Sequence, residues 1–410
     1  MGIITAPTRT DSNFHYVKSA YADKSFENAL AEDRITQDDI DLIYEFITEL
    51  QASQNIGLLR TNKIIYTLVN WRRFITLYRD ANISDVYKAI SDLKQAKTKK
   101  GLPYKTNTIH DYIIFLKRFS LWLIENNYSS LPKEKIMRIR PPRIDSQTKQ
   151  PDQLLSKEEI EALLKACLTS RDRALIALLY ESGCRIGEIA RLTWGRVKFD
   201  DYGVILTVED TKCNTQRYVR IVMSKPYFSA WRQDYPFDSK DDALVFISHR
   251  KTPLKHGAVM KVLERLSKRA GIEKHITPHI FRHSRITHLI NEGMNESVIK
   301  LMMWGNINTK MFHTYAHLTG GDIDREVLGS YGIVTKDEKE THALEPVMCP
   351  KCMTINPPKA GYCIHCGRSF TEAATVTIDE MSEDISTNPD LLKQMIENIL
   401  EERMQAKTLI

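Results

Sequence analysis

Apolar residues recur at helical spacing through most of the first 130 positions. Ile40, Ile43, Tyr44 and Ile47 lie three or four apart within 39–51, and Ile64, Leu68, Trp71, Phe74, Ile75 and Tyr78 repeat the pattern within 63–78. A shorter segment follows at 84–97. A long one at 106–126 carries Ile109, Ile113, Leu116, Phe119, Leu123 and Ile124. Short connections between these segments predict a four-helix unit over 36–131. Residues 1–35 show no clear period and read as a loose N-terminal arm. Residues 132–153 have tandem prolines, many bases and no apolar period, which predicts an extended linker.

Beyond the linker the period switches between helix and strand. Ser156 and Glu159 form a capping-box pair ahead of one helix. A strongly apolar helix over 171–182 ends at Gly183, and GCRIGEIARLTW then places Arg185 and Glu188 at the start of the next. Free backbone N–H groups at that helix start would help Arg185 hold an anion. Two β-type runs, 204–208 and 217–222, flank EDTKCNTQ and predict a hairpin with Lys212 in its turn region. Mixed helix follows, then a short strand near 244–247 and a helix over 256–270. These elements predict a mainly α protein, with a mixed α/β domain and a small β-sheet over 154–335.

The stretch from Ile276 to His317 closes that domain. Thr277 is placed to cap a helix, and Pro278 suits its first position. His279, Arg282, His283 and Ile286 then fall on one face. Gly293 ends this helix, Gly305 ends a second one at about 303, and a third carries Tyr315. Imidazoles and a guanidinium on one face, followed by a phenol on a separate helix, point to a phosphate site. Without such a ligand the same groups would be ordinary packing residues.

Charge strengthens the phosphate reading. The chain carries a formal +6, but residues 337–410 hold 7 basic and 13 acidic side chains, so the rest carries about +12. A basic body fits a polyanionic partner such as nucleic acid. Bases also gather near predicted turns of the helical unit, as in KTKKG at 97–101, where a DNA backbone could be gripped. No apolar run reaches membrane-spanning length, and residues 1–34 lack the layout of a signal peptide. A cytoplasmic, nucleoid-associated protein with no membrane partner is therefore expected.

Breaking a phosphodiester with a side chain requires a nucleophile, cations on the non-bridging oxygens, an acid for the leaving oxygen and an orienting or proton-accepting group. Tyr315, Arg185 with Arg282, Lys212 and His279 supply these in turn. Two arginines can replace a divalent metal, and no carboxylate cluster accompanies them, which disfavours a metal-dependent nuclease.

In order along the chain stand Arg185 within SGCRIGEI, Lys212 within DTKCNTQRYVRI, His279 and Arg282 within HIFRH, and Tyr315 within HTYAHL. This arrangement resembles the tyrosine recombinases, the phage-integrase and Xer-type family, over roughly 36–335. The resemblance implies a helical core-binding domain at 36–131 and a catalytic domain at 154–335. It also implies site-specific cutting and rejoining of double-stranded DNA through a 3′-phosphotyrosyl intermediate, with neither ATP nor a catalytic metal. A tetramer on paired sites is the implied assembly. The family commonly has Gly-His ahead of the tyrosine helix, where this chain has Gly305-Asn306. Asn306 can donate a hydrogen bond to a phosphate oxygen but cannot carry charge. A DNA-binding protein of the same fold with attenuated or lost cleavage is therefore the alternative.

The tail carries separate chemistry. Cys349-Pro-Lys-Cys352 and Cys363-Ile-His-Cys366 are two CxxC knuckles, which predict a zinc ribbon over 345–370. Four thiolates close the coordination sphere, so the Zn²⁺ should be structural, with His365 not a ligand. Residues 371–387 read as an acidic linker. Asn388 and Pro389 open a final helix over 388–407, striped with Leu391, Leu392, Met395, Ile396, Ile399 and Leu400. That stripe could dock on its own domain or on a neighbouring subunit.

Overall fold

The computed structural model describes residues 6–376 except 13, 15–17, 99, 146–150, 211–214 and 316–343, together with scattered positions from 381 to 401. The chain divides into two compact units. One is Tyr16–Thr148; the other joins Met1–His15 to Lys149–Ile410. None of the described helices is long and apolar enough to cross a membrane.

The helical unit contains α1 (Ala20–Ala31), α2 (Gln37–Gln54), α3 (Leu58–Trp71), α4 (Ile83–Gln95), α5 (Thr106–Glu125) and the short α6 (Lys133–Arg138). Helix α1 lies where a loose arm is expected. Its Ala22, Phe26 and Ala29 are buried, and it packs on α3. Helix α3 stops at Trp71, earlier than its apolar spacing predicts. The reason is the buried carboxylate of Asp39 in the first turn of α2. It accepts from Arg72 Nε at 2.7 Å and from the Tyr78 backbone N–H at 3.2 Å. Those bonds turn the chain back, so that Ile75 and Tyr78 enter the core from a non-helical segment. Asp39→Ala should leave Arg72 as a nearly buried, uncompensated cation. The expected loss is about 3–5 kcal/mol, read as a lowered denaturation midpoint.

The predicted linker is also partly structured. Ile136 of α6 is buried, and Lys117 on α5 donates to the Ile139 carbonyl at 3.0 Å. Asn107 and Asp145 exchange a side-chain amide and a backbone N–H, at 2.9 and 2.8 Å. The segment through 145 therefore docks along α5 instead of hanging free.

The second unit contains α7 (Lys157–Ala166), α8 (Ser170–Ser182), the single turn α9 (Ile186–Ile189), β1 (Val197–Asp200), β2 (Gly203–Asp210), β3 (Thr215–Ile221), α10 (Lys225–Gln233), α11 (His256–Arg269), α12 (Pro278–Asn291) and α13 (Glu296–Trp304). The strands form an antiparallel meander in the order β1-β2-β3, with Leu206 opposite Val219 and Val208 opposite Arg217. Strand β1 extends the predicted hairpin. No strand forms at 244–247; Leu244 makes an isolated bridge to Thr193. Helix α8 is buried along nearly its whole length and packs against α10 and α12. Its Glu181 carboxylate accepts from the N–H groups of Val222, Met223 and Ser224 at 2.6, 2.9 and 2.7 Å, which pins the exit of β3.

The first residues depart from the expected arm as well. Phe14 is 2% exposed within this unit's core, the Pro7 carbonyl accepts from Leu244 N–H at 2.9 Å, and the Phe14 carbonyl accepts from His256 N–H at 3.0 Å. A polar segment can be ordered this way when its backbone groups pair and one aromatic ring is buried. Near the C-terminus β4 (Val347–Met348) and β5 (Ile355–Asn356) form a two-stranded antiparallel sheet, and Lys359 pairs with Glu161 on α7 at 2.7 Å. Of the predicted final helix, the described positions between 390 and 401 are helical, and Leu392, Ile396 and Leu400 of its apolar stripe are exposed; the rest lies outside the described residues.

Candidate active site

Three tight backbone features bring distant residues together. Gly183 ends α8 in the left-handed region at φ +57, and a Cβ there would stand 2.6 Å from Met303 Sδ. Glycine therefore lets α13 approach closely. Gly305 ends α13 at φ +67, where a Cβ would stand 3.4 Å from that of Arg217 on β3. Pro278 opens α12 with Thr277 at the N-cap position, as its sequence predicts.

Arg282 projects from α12 into this convergence and is 3% exposed. Its Nη1 donates to the Gly183 carbonyl at 2.6 Å and its Nη2 to the Met303 carbonyl at 2.8 Å, while its guanidinium lies 5.2 Å from the centre of the Trp304 ring. Burial, and then the neighbouring Arg185, pull its pKa down to about 10, so it is still charged at neutral pH. Carbonyls and a ring carry no formal charge. This cation is held where an anion would relieve its desolvation.

Arg185 occupies the N-cap position of α9. Its Nη1 donates to Glu188 Oε1 at 3.0 Å, and its backbone N–H donates to Glu188 Oε2 at 2.7 Å. Because α9 is a single turn, the anion-binding capacity here rests on the guanidinium and not on a helix dipole. Glu188 is 7% exposed. Burial pushes its carboxyl up, but bonds and charge from Arg217 and Arg185 hold it below the usual carboxylate range.

Tyr315 follows a 3₁₀ turn, Lys310–Thr314, and is its C-terminal cap residue; the sequence predicts a helix here. Its ring lies 5.1 Å from that of His283 and 6.1 Å from Trp304. Burial raises the phenol's pKa, while the Arg282 and Arg185 charges draw it back down. Trp304 is common to the tyrosine and to Arg282, and the Arg185 charge reaches the same phenol. His279 is exposed on the same face of α12, its ring 5.5 Å from that of His283. His283, on the face the sequence predicts, has its ring against that of Tyr315. Asn306 is exposed, and its Oδ1 accepts from Asn308 N–H at 2.8 Å within its own loop. Lys212 lies outside the described residues.

Two further residues belong to this site and were missed from sequence. Trp304 touches both Arg282 and Tyr315. Arg217 donates from Nη1 and Nη2 to Glu188 Oε1 and Oε2 at 2.9 and 2.6 Å, and from Nε to the Met302 carbonyl at 2.9 Å. The signal for Arg217 was its register. It alternates with Val219 and Ile221 on the buried face of β3, where a lone charge calls for an explanation.

The four tail cysteines cluster, with every pair of sulfurs within 4.8 Å. Cys349 and Cys366 Sγ are 3.6 Å apart, and Cys352 and Cys363 Sγ are 3.5 Å apart. Tetrahedral Zn–S bonds of about 2.3 Å would set sulfurs about 3.8 Å apart, so the cluster fits that ion.

Residues 153–320 match the phage integrase family. Transposase A from transposon Tn554 of Staphylococcus aureus is 31% identical over 186 residues, which is 42% of this chain and 50% of that protein. The chain thus spans about half the length of that relative. Tyrosine recombinase XerC of Bacillus subtilis is 29% identical over 293 residues, 66% of this chain and 90% of that protein. Among solved structures, the Tn1549 transposon integrase in complex with a circular intermediate DNA superposes with a TM-score of 0.55 at 19% identity. That match covers 70% of this chain and 98% of the integrase, and it shows a shared fold.

Proposed function

We propose that this protein is a tyrosine recombinase, acting as a site-specific DNA strand transferase. The observation that carries the reading is the Tyr315 ring against His283 and Trp304, with the Arg282 guanidinium over that same Trp304 ring, inside the segment that matches the phage integrase family. In the reaction, the Tyr315 oxygen attacks phosphorus as its proton passes to a neighbouring imidazole, His279 or His283. Arg185 and Arg282 hold the non-bridging oxygens, where charge accumulates. The bond to the 5′ oxygen breaks, and Lys212 protonates that oxygen. The products are a 3′-phosphotyrosyl link and a free 5′ hydroxyl. Attack of a 5′ hydroxyl on the link reverses the steps, so rejoining needs no ATP.

The experiment is incubation with nicked duplexes drawn from candidate target sites, followed by a denaturing gel. A covalent protein–DNA band supports the reading; retention of duplex without any band supports binding alone. That second reading has one observation in its favour, since Asn306 directs its carbonyl oxygen into its own loop and cannot replace a charged imidazole.

The unit 36–131 serves in this reading as the core-binding domain and 154–335 as the catalytic domain. Double-stranded DNA is the partner, and a tetramer on paired sites is the working assembly, measurable by sedimentation of the complex. Exposed Val298, Leu301, Ile307 and Met311, close along the chain to the tyrosine turn, offer apolar surface for a neighbouring copy. The cysteine cluster holds a structural Zn²⁺ in a ribbon over 345–370. Cys363→Ser should lower bound zinc from about one ion per chain towards none, read by atomic absorption; an unchanged stoichiometry would discard the site.

A further inference from the structure

We infer that Arg217 is a positioning residue that keeps Arg185 available to phosphate by occupying Glu188, and that it ties the β2–β3 hairpin to the end of α13. The inference deepens the strand-transferase reading and rests on it for its catalytic consequence.

Among the described residues, one buried carboxylate faces both Arg185 and Arg217. Glu188 is a single buried carboxylate beside Arg185 and Arg217, with the Arg282 charge close by. Arg217 grips both of its oxygens, in the bidentate geometry that guanidinium favours. Arg185 makes one side-chain bond to the same carboxylate, at 3.0 Å, and remains about a third exposed. Without Arg217 the carboxylate would have Arg185 as its adjacent counter-charge. A buried anion exerts a strong pull on such a partner. Arg185 would then be drawn from the phosphate position and its field at Tyr315 cancelled.

Other bonds of Arg217 reach further parts of the site. Its Nε donates to the Met302 carbonyl on α13, next to the Met303 carbonyl that accepts from Arg282. Its Nη2 lies 3.6 Å from Cys184 Sγ, the residue before Arg185. One side chain thus spans the strand that follows Lys212, the approach to Arg185, and the helix whose end leads to Asn306 and Tyr315.

The test compares wild type with R217M, E188Q and the double variant R217M/E188Q. Two readouts are used: single-turnover adduct formation on a nicked duplex, set against duplex binding, and a tyrosinate absorbance titration of each protein against its Tyr315→Phe counterpart. R217M should slow adduct formation by roughly 100-fold while binding changes only a few-fold, and should raise the Tyr315 pKa. Adding E188Q should restore roughly tenfold of the rate and return the pKa towards wild type, because it removes the anion that Arg217 had occupied. A residue that mattered only for packing would show no such restoration. If R217M is too unstable to assay, R217K takes its place: one ammonium cannot hold two carboxylate oxygens and a carbonyl together, so the same restoration is expected at smaller size. A double variant as impaired as R217M in both readouts overturns the inference. Titrations that follow the expected pattern in a protein that makes no adduct would instead remove the strand-transferase reading and leave the positioning role standing.

Discussion

Tyr315→Phe abolishes covalent protein–DNA adducts and leaves duplex binding within about twofold. The Tyr315 phenol is able to form a stable ester with phosphorus, and its removal takes away one oxygen with little change of shape. Its ring contacts with His283 and Trp304 are retained by phenylalanine, so the fold should be unaffected. The phenol contributes little to affinity because DNA binding is governed by cations on phosphates. Burial raises the phenol's pKa, which makes proton removal part of the attack and gives the imidazole beside it, His283, a role. Adducts that persist in this variant would place the nucleophile elsewhere and end the assignment.

Arg282 is expected to produce the second large effect, through chemistry and stability together. Arg282→Lys should lower cleavage by about 10²–10³-fold, the usual consequence of losing an aligned donor to developing charge. An ammonium keeps the charge but not the planar fork that reaches both the Gly183 and Met303 carbonyls. Arg282→Ala should in addition leave two carbonyls without that donor, at about 1–3 kcal/mol each, partly offset by relief of a desolvated cation. The thermal midpoint should therefore fall for alanine and hold more nearly for lysine, while both lose cleavage. A lysine variant that cuts at the wild-type rate would show that Arg282 is a brace between α8 and α13 and not a phosphate ligand.

Much of the helical unit was legible because its faces are amphipathic. Thr36 accepts from the Asp39 N–H at the start of α2, and in the second unit Ser156 accepts from the Glu159 N–H, as its capping-box spacing predicts. The misjudged parts share one cause. Helix α1, the paired Pro7 and Phe14 carbonyls, the early end of α3 and the docked segment before residue 146 all depend on partners distant in sequence. Their own composition is polar or mixed, so local periodicity carries no sign of order. Likewise, a strand at 244–247 is a fair inference from apolar β-formers, but these residues find single bridges and a buried environment instead of a ladder.

Sequence alone determined the chemical inventory of this protein: two guanidiniums, an HxxRH helix face, a late phenol and two cysteine knuckles, each at a spacing that backbone geometry makes meaningful. It could also mark Gly183 and Gly305 as helix ends, because only glycine takes the left-handed conformation cheaply. Tertiary structure decided which members of that inventory meet. It put His283 against the phenol, exposed Asn306, brought Trp304 to Arg282, and set Arg217 between Glu188 and α13. Those pairings follow from the packing of α8, α12, α13 and β3, whose contacts are remote along the chain and leave no periodic trace in it.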